Sequence, residues 1–183
     1  MRSEIFGENI ILRKYETAFA PLLFEAAIES KGGEFTFWMP WCRENYEFSE
    51  SESFIEKVQE NWKDETQFGF AIFDAETNEF LGGTGLNQPN TAHKFYNLGY
   101  WVRTSKQNRG AASEAARLLA EIAFEDLPIN RIEILIAIEN IPSQKAAEKS
   151  GAAHEGVLRK RLIIGDRIHD AAMFSFVRED FQK

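Results

Sequence analysis

Apolar and polar positions follow two different periods along this chain. From a start near Ser49 or Ser51, apolar residues recur every three or four positions through residues 54–62, which predicts an amphipathic helix. Short apolar runs bounded by turn residues then follow, and such runs are typical of β-strands. They cover residues 67–73, 80–86 and 95–104. This part of the chain therefore predicts a helix followed by an antiparallel meander, with turns at 74–78 and 88–90.

Further elements precede this helix. Residues 9–14 are typical of a short first strand. Thr17 is placed to cap a helix that runs to about Ser30 and ends at Lys31-Gly32-Gly33. The segment 35–41 then holds four aromatic residues, too many for a solvated loop.

Helix and strand patterns alternate in the second half. Residues 110–124 are alanine-rich with a helical apolar stripe, and residues 131–139 form the β-branched run expected of a strand buried on both faces. Ser143 is placed to cap another helix, with Gly151 as its C-cap. Two last strands, 156–164 and 167–177, flank the hairpin signal Gly165-Asp166.

The order of these elements predicts a mixed α/β (α+β) fold. The sequence contains no internal repeat, low-complexity tract or linker, so we expect a single domain over residues 1–183. About seven strands and about four helices are counted in this way.

Charge is unevenly distributed along the chain. The net charge of −8 argues against nucleic acid as a partner, because phosphate binding needs a basic face. Residues 1–93 hold 7 Lys and Arg against 17 Asp and Glu, whereas residues 94–183 hold 14 against 12. Solvated acidic helices explain this asymmetry; alternatively, the first half faces a cationic molecule and the second half tolerates an anion.

Cysteine, histidine and hydropathy exclude other classes. One cysteine, Cys42, and three scattered histidines predict neither a disulfide framework nor a metal site. No apolar run approaches the roughly 20 residues that span a bilayer, and the first residues lack the apolar stretch of a signal peptide. We therefore expect a cytoplasmic protein that does not bind membranes.

The junction between the strand near residues 98–104 and the helix at 110 is the segment most suggestive of chemistry. The first turn of a helix has unpaired N–H groups and a partial positive charge, which together attract phosphate. Gly110, Ala111 and Ala112 leave room for an anion, while basic side chains lie nearby in the sequence, at Arg103, Lys106 and Arg109. An ordinary helix start would show many of the same features.

Separated motifs in this region and beyond resemble the GNAT acyl-CoA N-acyltransferases. Residues 107–112 (Gln-Asn-Arg-Gly-Ala-Ala) match that family's Gln/Arg-x-x-Gly-x-Gly/Ala loop. Residues 98–102 (Leu-Gly-Tyr-Trp-Val), Asn140…Ser143 and 148–152 (Glu-Lys-Ser-Gly-Ala) are similar to the branch that acetylates ribosomal-protein N-termini, the RimJ/RimL type. Glu155-Gly156, His169-Asp170 and 38–41 (Trp-Met-Pro-Trp) also fall where that branch has related residues.

The resemblance implies a fold and a cosubstrate. The fold is a mostly antiparallel sheet splayed between its fourth and fifth strands, and the cosubstrate is acetyl-CoA, with no metal. The positions implied to bind coenzyme A are Trp101, Val102, Arg103, Gln107, Asn108, Arg109, Gly110, Ala111, Ala112, Ser113, Asn140 and Lys149.

The resemblance also implies catalytic and substrate positions. Ser143 stands where the branch has a hydroxyl able to protonate the departing thiolate, although a helix N-cap is its simpler role. Trp38, Trp41 and Asp170 are the candidate contacts to the amine acceptor, and an aromatic core cluster is the alternative for the tryptophans. Cys42 is better explained as a buried bystander than as an acyl carrier.

The proton acceptor for the amine stays unassigned. The branch often has a glutamate just before the Gly-Tyr-Trp strand, where this chain has Asn97, and the first strand of the last hairpin carries the basic run 159–161 in place of an acid. Glu133 and Glu139 remain on the buried strand, but Glu133 is as easily a structural partner of Arg131. A water chain to an acidic residue of the cleft would also serve.

Three functions remain open at this point. The first is an N-acetyltransferase acting on a primary amine, either a protein N-terminus or a small cationic amine that would suit the acidic first half. The second is a non-catalytic acyl-CoA-binding regulatory module, and the third is a purely structural domain. A homodimer is common in similar proteins.

Overall fold

An eight-stranded mixed sheet runs through the protein in the computed structural model, which describes residues 1–182. The strands are β1 (Glu4–Phe6), β2 (Ile10–Lys14), β3 (Phe68–Asp74), β4 (Phe80–Asn90), β5 (Phe95–Val102), β6 (Arg131–Ala137), β7 (Ala153–Ile164) and β8 (Arg167–Val177). The helices are α1 (Ala20–Ser30), α2 (Gly33–Trp38), α3 (Phe48–Lys63), α4 (Ala111–Asp126) and α5 (Ile141–Ser150). Single 3₁₀ turns cover Thr17–Phe19, Thr104–Lys106 and Arg178–Phe181.

The strand order is β1-β2-β3-β4-β5-β6-β8-β7, and every neighbouring pair is antiparallel except β5 and β6. These two strands pair in parallel over only three residues each, 95–97 with 131–133, and separate beyond them. The predicted mixed α/β fold with a splayed sheet is confirmed. The sheet has eight strands instead of about seven, because β1 is too short for its pattern to be recognised in the sequence.

The separation leaves one edge of β5 open. The Arg103 N–H donates to the Leu81 carbonyl on the β4 side at 2.8 Å, and backbone groups in an antiparallel pair alternate in direction along a strand. The backbone groups of Tyr100 and Val102 therefore point away from β4, into the gap between β5 and β6. The Gln107 side chain already reaches across to the Val102 carbonyl, at 3.1 Å.

Alanine-rich packing holds α4 against the sheet. Its buried face carries Ala115, Ala116, Leu119, Ala120 and Ala123, all without exposed surface. Small side chains allow the helix to approach closely, and the burial is contiguous with the main hydrophobic core. The start of α4 is thereby fixed at the end of β5.

Several element boundaries differ from the sequence prediction. Glu47 caps α3 in a capping box with Glu50, so the helix begins at Phe48, just before the predicted serines. Asn140, and not Ser143, caps α5: its side-chain oxygen accepts the Ser143 N–H at 3.2 Å. The predicted turn at 88–90 lies inside β4, and the chain reverses at 91–94.

The strand expected to be buried on both faces is buried on one. In β6, Ile132, Ile134 and Ile136 are buried, whereas Arg131 and Glu133, on the other face, are half-buried. These two polar residues form an ion pair at 2.8 Å, which explains how they are tolerated there. None of the helices described in residues 1–182 has the length and apolarity required to cross a membrane.

Candidate active site

Two cavities meet at the open edge of β5, and Met39, Tyr100 and Trp101 line both of them. The loop cavity, of about 750 Å³, lies against residues 107–113 and the start of α5. The aromatic cavity, of about 490 Å³, lies between α3 and the strands β3, β4 and β5. A molecule that bridges the two cavities would pass Tyr100 and Trp101, so the gap in the sheet is the natural reaction centre.

The first turn of α4 forms one wall of the loop cavity. Gly110 caps the helix with φ +90°, a left-handed conformation that favours glycine, and Asn108 is also left-handed at φ +62°. The Ser113 hydroxyl donates to the Gly110 carbonyl at 2.8 Å. Glu114 faces away and accepts the backbone N–H of Asn9 at 2.8 Å. The N–H groups that start the helix are therefore not opposed by the nearest carboxylate, and they suit an anion.

Basic side chains surround this helix start. Arg109 and Lys149, both predicted from the sequence, line the loop cavity, and Lys145 joins them. None of the three pairs with a carboxylate within residues 1–182, whereas Lys106 on the same wall is bound to Glu79 at 2.6 Å. Sequence reasoning missed Lys145, which faces the cavity because it precedes Lys149 by one helical turn.

Arg103 does not supply the predicted counter-charge. Its side chain is buried, and its guanidinium donates to Glu29 at 2.7 Å and to Glu25 at 2.8 Å. Burial lowers the pKa of Arg103, but the hydrogen bonds to the two glutamates outweigh it and the net pKa is raised. The side chain is committed to α1, so it is not available to an anion in the cavity.

The same end of α1 holds the loop in place. Glu29 also accepts the Ser105 N–H at 2.9 Å, and the Ser30 hydroxyl accepts the Thr104 N–H at 3.0 Å. Arg103 is therefore a positioning residue, since it fixes where the loop leaves the sheet.

Ser143 and Tyr100 connect α5 to β5 across the gap. The Tyr100 hydroxyl donates to the Ser143 carbonyl at 2.7 Å, and the Ser143 hydroxyl donates to the Tyr100 oxygen at 3.2 Å. Burial raises the pKa of Tyr100 to about 12, a shift that the hydrogen bond with Ser143 only partly opposes. The Tyr100 hydroxyl is therefore protonated near neutral pH, and Ser143 and Asn140 lie on the same wall.

The wall of the aromatic cavity is mainly apolar. Trp41, predicted as an acceptor contact, lies on it and packs against Trp101 with ring centroids 5.2 Å apart. Glu50 is the one carboxylate on this wall within residues 1–182, and it is paired with Arg43 at 2.8 Å.

The acidic residues of the first half lie elsewhere. On α3, Glu52, Glu56 and Glu60 are exposed, which favours the interpretation as a solvated helix face over an acidic cleft.

Of the other residues considered from the sequence, one lines a cavity and two serve the packing of the fold. Trp38, predicted as an acceptor contact, lines the loop cavity and not the aromatic cavity. Asp170 lines neither cavity: its carboxylate accepts the Lys160 N–H at 2.7 Å and holds the irregular pairing of the last hairpin. Cys42 is buried, and its thiol donates to the Ala27 carbonyl at 3.2 Å. Burial raises the pKa of this thiol, which does not favour a nucleophile.

Neither Asn97 nor Glu133, the two positions weighed from the sequence, offers a free carboxylate to the gap. Asn97, at the position where related chains often have glutamate, donates to the Asn87 side chain at 2.9 Å. Glu133 is held by Arg131, which also binds Glu155 at 2.7 Å. These contacts favour the structural role for Glu133, one of the two roles that the sequence left open.

The donors of the loop cavity fit a diphosphate. Such a group needs amide donors and positive charge, and the α4 start together with Arg109, Lys145 and Lys149 supplies both. The open edge of β5 offers backbone groups to an extended chain with amide bonds. Coenzyme A combines these two features, so the residues present fit it.

Comparisons with known proteins agree with this geometry. The sequence profile of the acetyltransferase (GNAT) domain matches residues 9–153. The chain is 26% identical over 177 residues to the uncharacterized N-acetyltransferase p20 of Bacillus licheniformis, covering 97% of each chain. It is also 26% identical over 106 residues to the ribosomal-protein-serine acetyltransferase of Escherichia coli, covering 58% of each.

A solved structure shows the same fold. RimL, a ribosomal L7/L12 α-N-protein acetyltransferase in complex with coenzyme A, superposes with a TM-score of 0.82 at 19% identity. The match covers 97% of this chain and 99% of that one. At this identity, the likeness concerns the fold alone.

Proposed function

Because the chain belongs to the GNAT acetyltransferase family, we propose that it transfers an acetyl group from acetyl-CoA to a primary amine at a protein or peptide N-terminus. The observation that carries the proposal is the meeting of two unlike cavities at one open strand edge. One cavity offers amide donors and positive charge to an anion, and the other is largely apolar, with its Glu50 carboxylate paired to Arg43. A donor and an acceptor can enter from opposite sides and meet at Tyr100 and Trp101.

Binding of the donor is assigned to this chain's own groups. The first N–H groups of α4, with Arg109, Lys145 and Lys149, would hold the phosphates. The backbone N–H and carbonyl of Tyr100 would pair with an amide-bearing chain in the gap, which leaves the Val102 N–H for the thioester. When bound, acetyl-CoA supplies the activated acetyl thioester.

The reaction proceeds by direct attack in a ternary complex. The neutral amine of the acceptor attacks the thioester carbonyl, the carbon–sulfur bond breaks, and the thiolate takes a proton. Ser143, with its hydroxyl bonded to Tyr100, is the proposed proton donor to that thiolate. The Val102 N–H, turned into the gap, is the proposed donor to the carbonyl oxygen. Because Glu50 is already paired, the proton of the amine leaves to water, and the Ser143 oxygen regains a proton from water, so that the enzyme returns to its starting state.

Free thiol release from acetyl-CoA, followed with peptides beginning in different residues, tests the proposal. We expect release to depend on peptide and to rise with pH as the peptide's own amine loses its proton. Lys149→Met should raise the KM for acetyl-CoA about tenfold, since a charge-assisted phosphate contact is lost. Lys63→Met, an exposed lysine on α3 outside both cavities, is the matched control and should change nothing.

A chain that binds coenzyme A but releases no thiol with any amine would contradict the proposal. That result would favour the non-catalytic binding module. The comparisons give this alternative no support, since the named relatives are acetyltransferases.

A further inference from the structure

A buried hydroxyl on the aromatic cavity has no hydrogen-bond partner. Tyr15 is 1% exposed, lines this cavity, and its hydroxyl is unpartnered within residues 1–182. A buried polar group without a partner costs about 1–3 kcal/mol, so such groups are rare unless something binds them. Burial raises the pKa of Tyr15 well above its ordinary range, so the group is a neutral hydroxyl able to donate.

A second donor lies beside this hydroxyl. A Cβ placed on Gly83 would be 2.5 Å from the Tyr15 hydroxyl and 2.6 Å from Nε1 of Trp101, so both atoms flank this glycine. The Trp101 N–H makes no hydrogen bond within the described residues. Its ring is fixed by edge contacts with Trp41 and with Phe35, at centroid distances of 5.2 and 6.2 Å. Two unused donors are therefore held over one glycine on a rigid wall.

The floor of the cavity is a row of glycines. Gly69, Gly85 and Gly99 are directly opposite one another on β3, β4 and β5, and all three line the cavity. Val58 of α3 covers the β3 end of this row, since a methyl group on Gly69 would meet its side chain at 3.0 Å. A methyl group on Gly99 would meet only the Asn87 amide nitrogen, at 3.7 Å, which shows that open space lies over this strand.

The chemistry of this wall defines what it binds. Two neutral donors in an apolar surrounding suit an uncharged oxygen acceptor, whereas a second ammonium group would lose its hydration with only the paired Glu50 in return. An acceptor that carries a carbonyl near its amine and a bulky apolar group would satisfy the donors and cover the glycine floor.

We propose that the aromatic cavity selects acceptors with an apolar side chain, and that Tyr15 and Trp101 bind the carbonyl oxygen next to the reacting amine. This inference rests on the proposed function and narrows its acceptor. It argues against the small cationic amines that the acidic first half suggested.

Four amines separate the parts of this inference. Phenylalaninamide has both the apolar group and the carbonyl, phenethylamine lacks the carbonyl, glycinamide lacks the apolar group, and spermidine carries extra charge. Their binding to the protein is measured by calorimetry with coenzyme A present, and their acetylation by thiol release. We expect phenylalaninamide to bind most tightly and spermidine most weakly.

The variant Tyr15→Phe isolates the hydroxyl. It should reduce the preference for phenylalaninamide over phenethylamine about 3- to 10-fold, the value of one neutral hydrogen bond. The melting temperature without ligand should not fall, because no internal bond is lost. Tyr96→Phe, on β5 outside both cavities, is the matched control. Gly99→Ala should weaken binding of phenylalaninamide and leave glycinamide unaffected.

The outcomes distinguish the inference from the function on which it rests. If Tyr15→Phe keeps the full preference, the hydroxyl serves only water and the inference is wrong. If spermidine is the best acetylated amine, the inference is wrong and the acetyltransferase stands. Selective binding of phenylalaninamide without thiol release would support the pocket and overturn the proposed function.

Discussion

Replacing Arg103 with methionine should show that this residue supports the loop instead of contacting the ligand. Methionine keeps much of the side-chain volume but removes the guanidinium that joins Glu25 and Glu29 of α1 to the end of β5. Glu29 would then keep only the Ser105 N–H as a partner. The loop over 103–105 would lose its strongest connection to α1.

The burial of each partner sets the magnitude. The Arg103 side chain is 8% exposed and Glu29 is 29% exposed. Breaking a fully buried pair costs about 3–5 kcal/mol, and the partial exposure of Glu29 reduces this to about 2–3 kcal/mol. For a chain of this size, we expect the melting temperature to fall by about 5–10 °C.

The two glutamates provide an internal comparison. Glu25 is 67% exposed, and exposed ion pairs contribute about 0–1 kcal/mol, so Glu25→Gln should cost little. Burial alone would raise the pKa of Glu29, but the bonds from Arg103 and Ser105 outweigh it and lower the pKa, so Glu29→Gln should cost more.

Thermal unfolding and coenzyme A binding measured on the same variants provide the assay. Arg103→Met should weaken coenzyme A binding in parallel with stability, whereas Glu25→Gln should leave both near wild type. If Arg103→Met weakens coenzyme A binding severalfold with no loss of stability, the guanidinium touches the ligand and the positioning role is refuted. Equal losses in the two glutamate variants would refute the burial argument.

Three further outcomes are expected. Tyr100→Phe removes the bonds between β5 and α5 and should lower stability by about 1–2 kcal/mol in urea unfolding. Gly110→Ala forces a side chain into a left-handed position at φ +90° and should weaken coenzyme A binding in calorimetry, whereas Gly165→Ala, left-handed in an open hairpin turn, should not. The bond from Arg131 lowers the pKa of Glu155 to about 2 from 4.5. Its contribution to stability is therefore present above pH 4.5 and lost towards pH 2, and acid titration of an Arg131→Met variant should lack this loss.

Local patterns predicted most of the fold. The apolar stripe of α4, the meander and the hairpin around Gly165 each depend on neighbours within a few residues, and all were recognisable in the sequence. The cap of α5 was assigned to the wrong residue because Asn140 and Ser143 both suit an N-cap, and only the hydrogen bond decides between them. The short β1 has a single buried residue, which is too little for a periodicity.

Residues whose roles depend on distant contacts were harder to predict. Arg103 is basic and adjacent to the loop, but its partners lie 74 and 78 positions away, and this separation hides its structural role. Tyr15 was not singled out because a tyrosine after a strand carries no local signal, and its significance comes from a hydroxyl that packing has left without a partner. Site residues in the 107–113 loop could be named because a helix start presents its donors in any fold.

Because β5 pairs with β6 over only three residues, the backbone amides of β5 fall into two classes that differ in their rate of hydrogen exchange. Those of Gly99 and Trp101 face β4 and should exchange with deuterium slowly, whereas those of Tyr100 and Val102 should exchange quickly. A ligand that fills the gap would slow the second class and leave the first unchanged. Alternate amides along β5 would then report occupancy of the site residue by residue, with no turnover required.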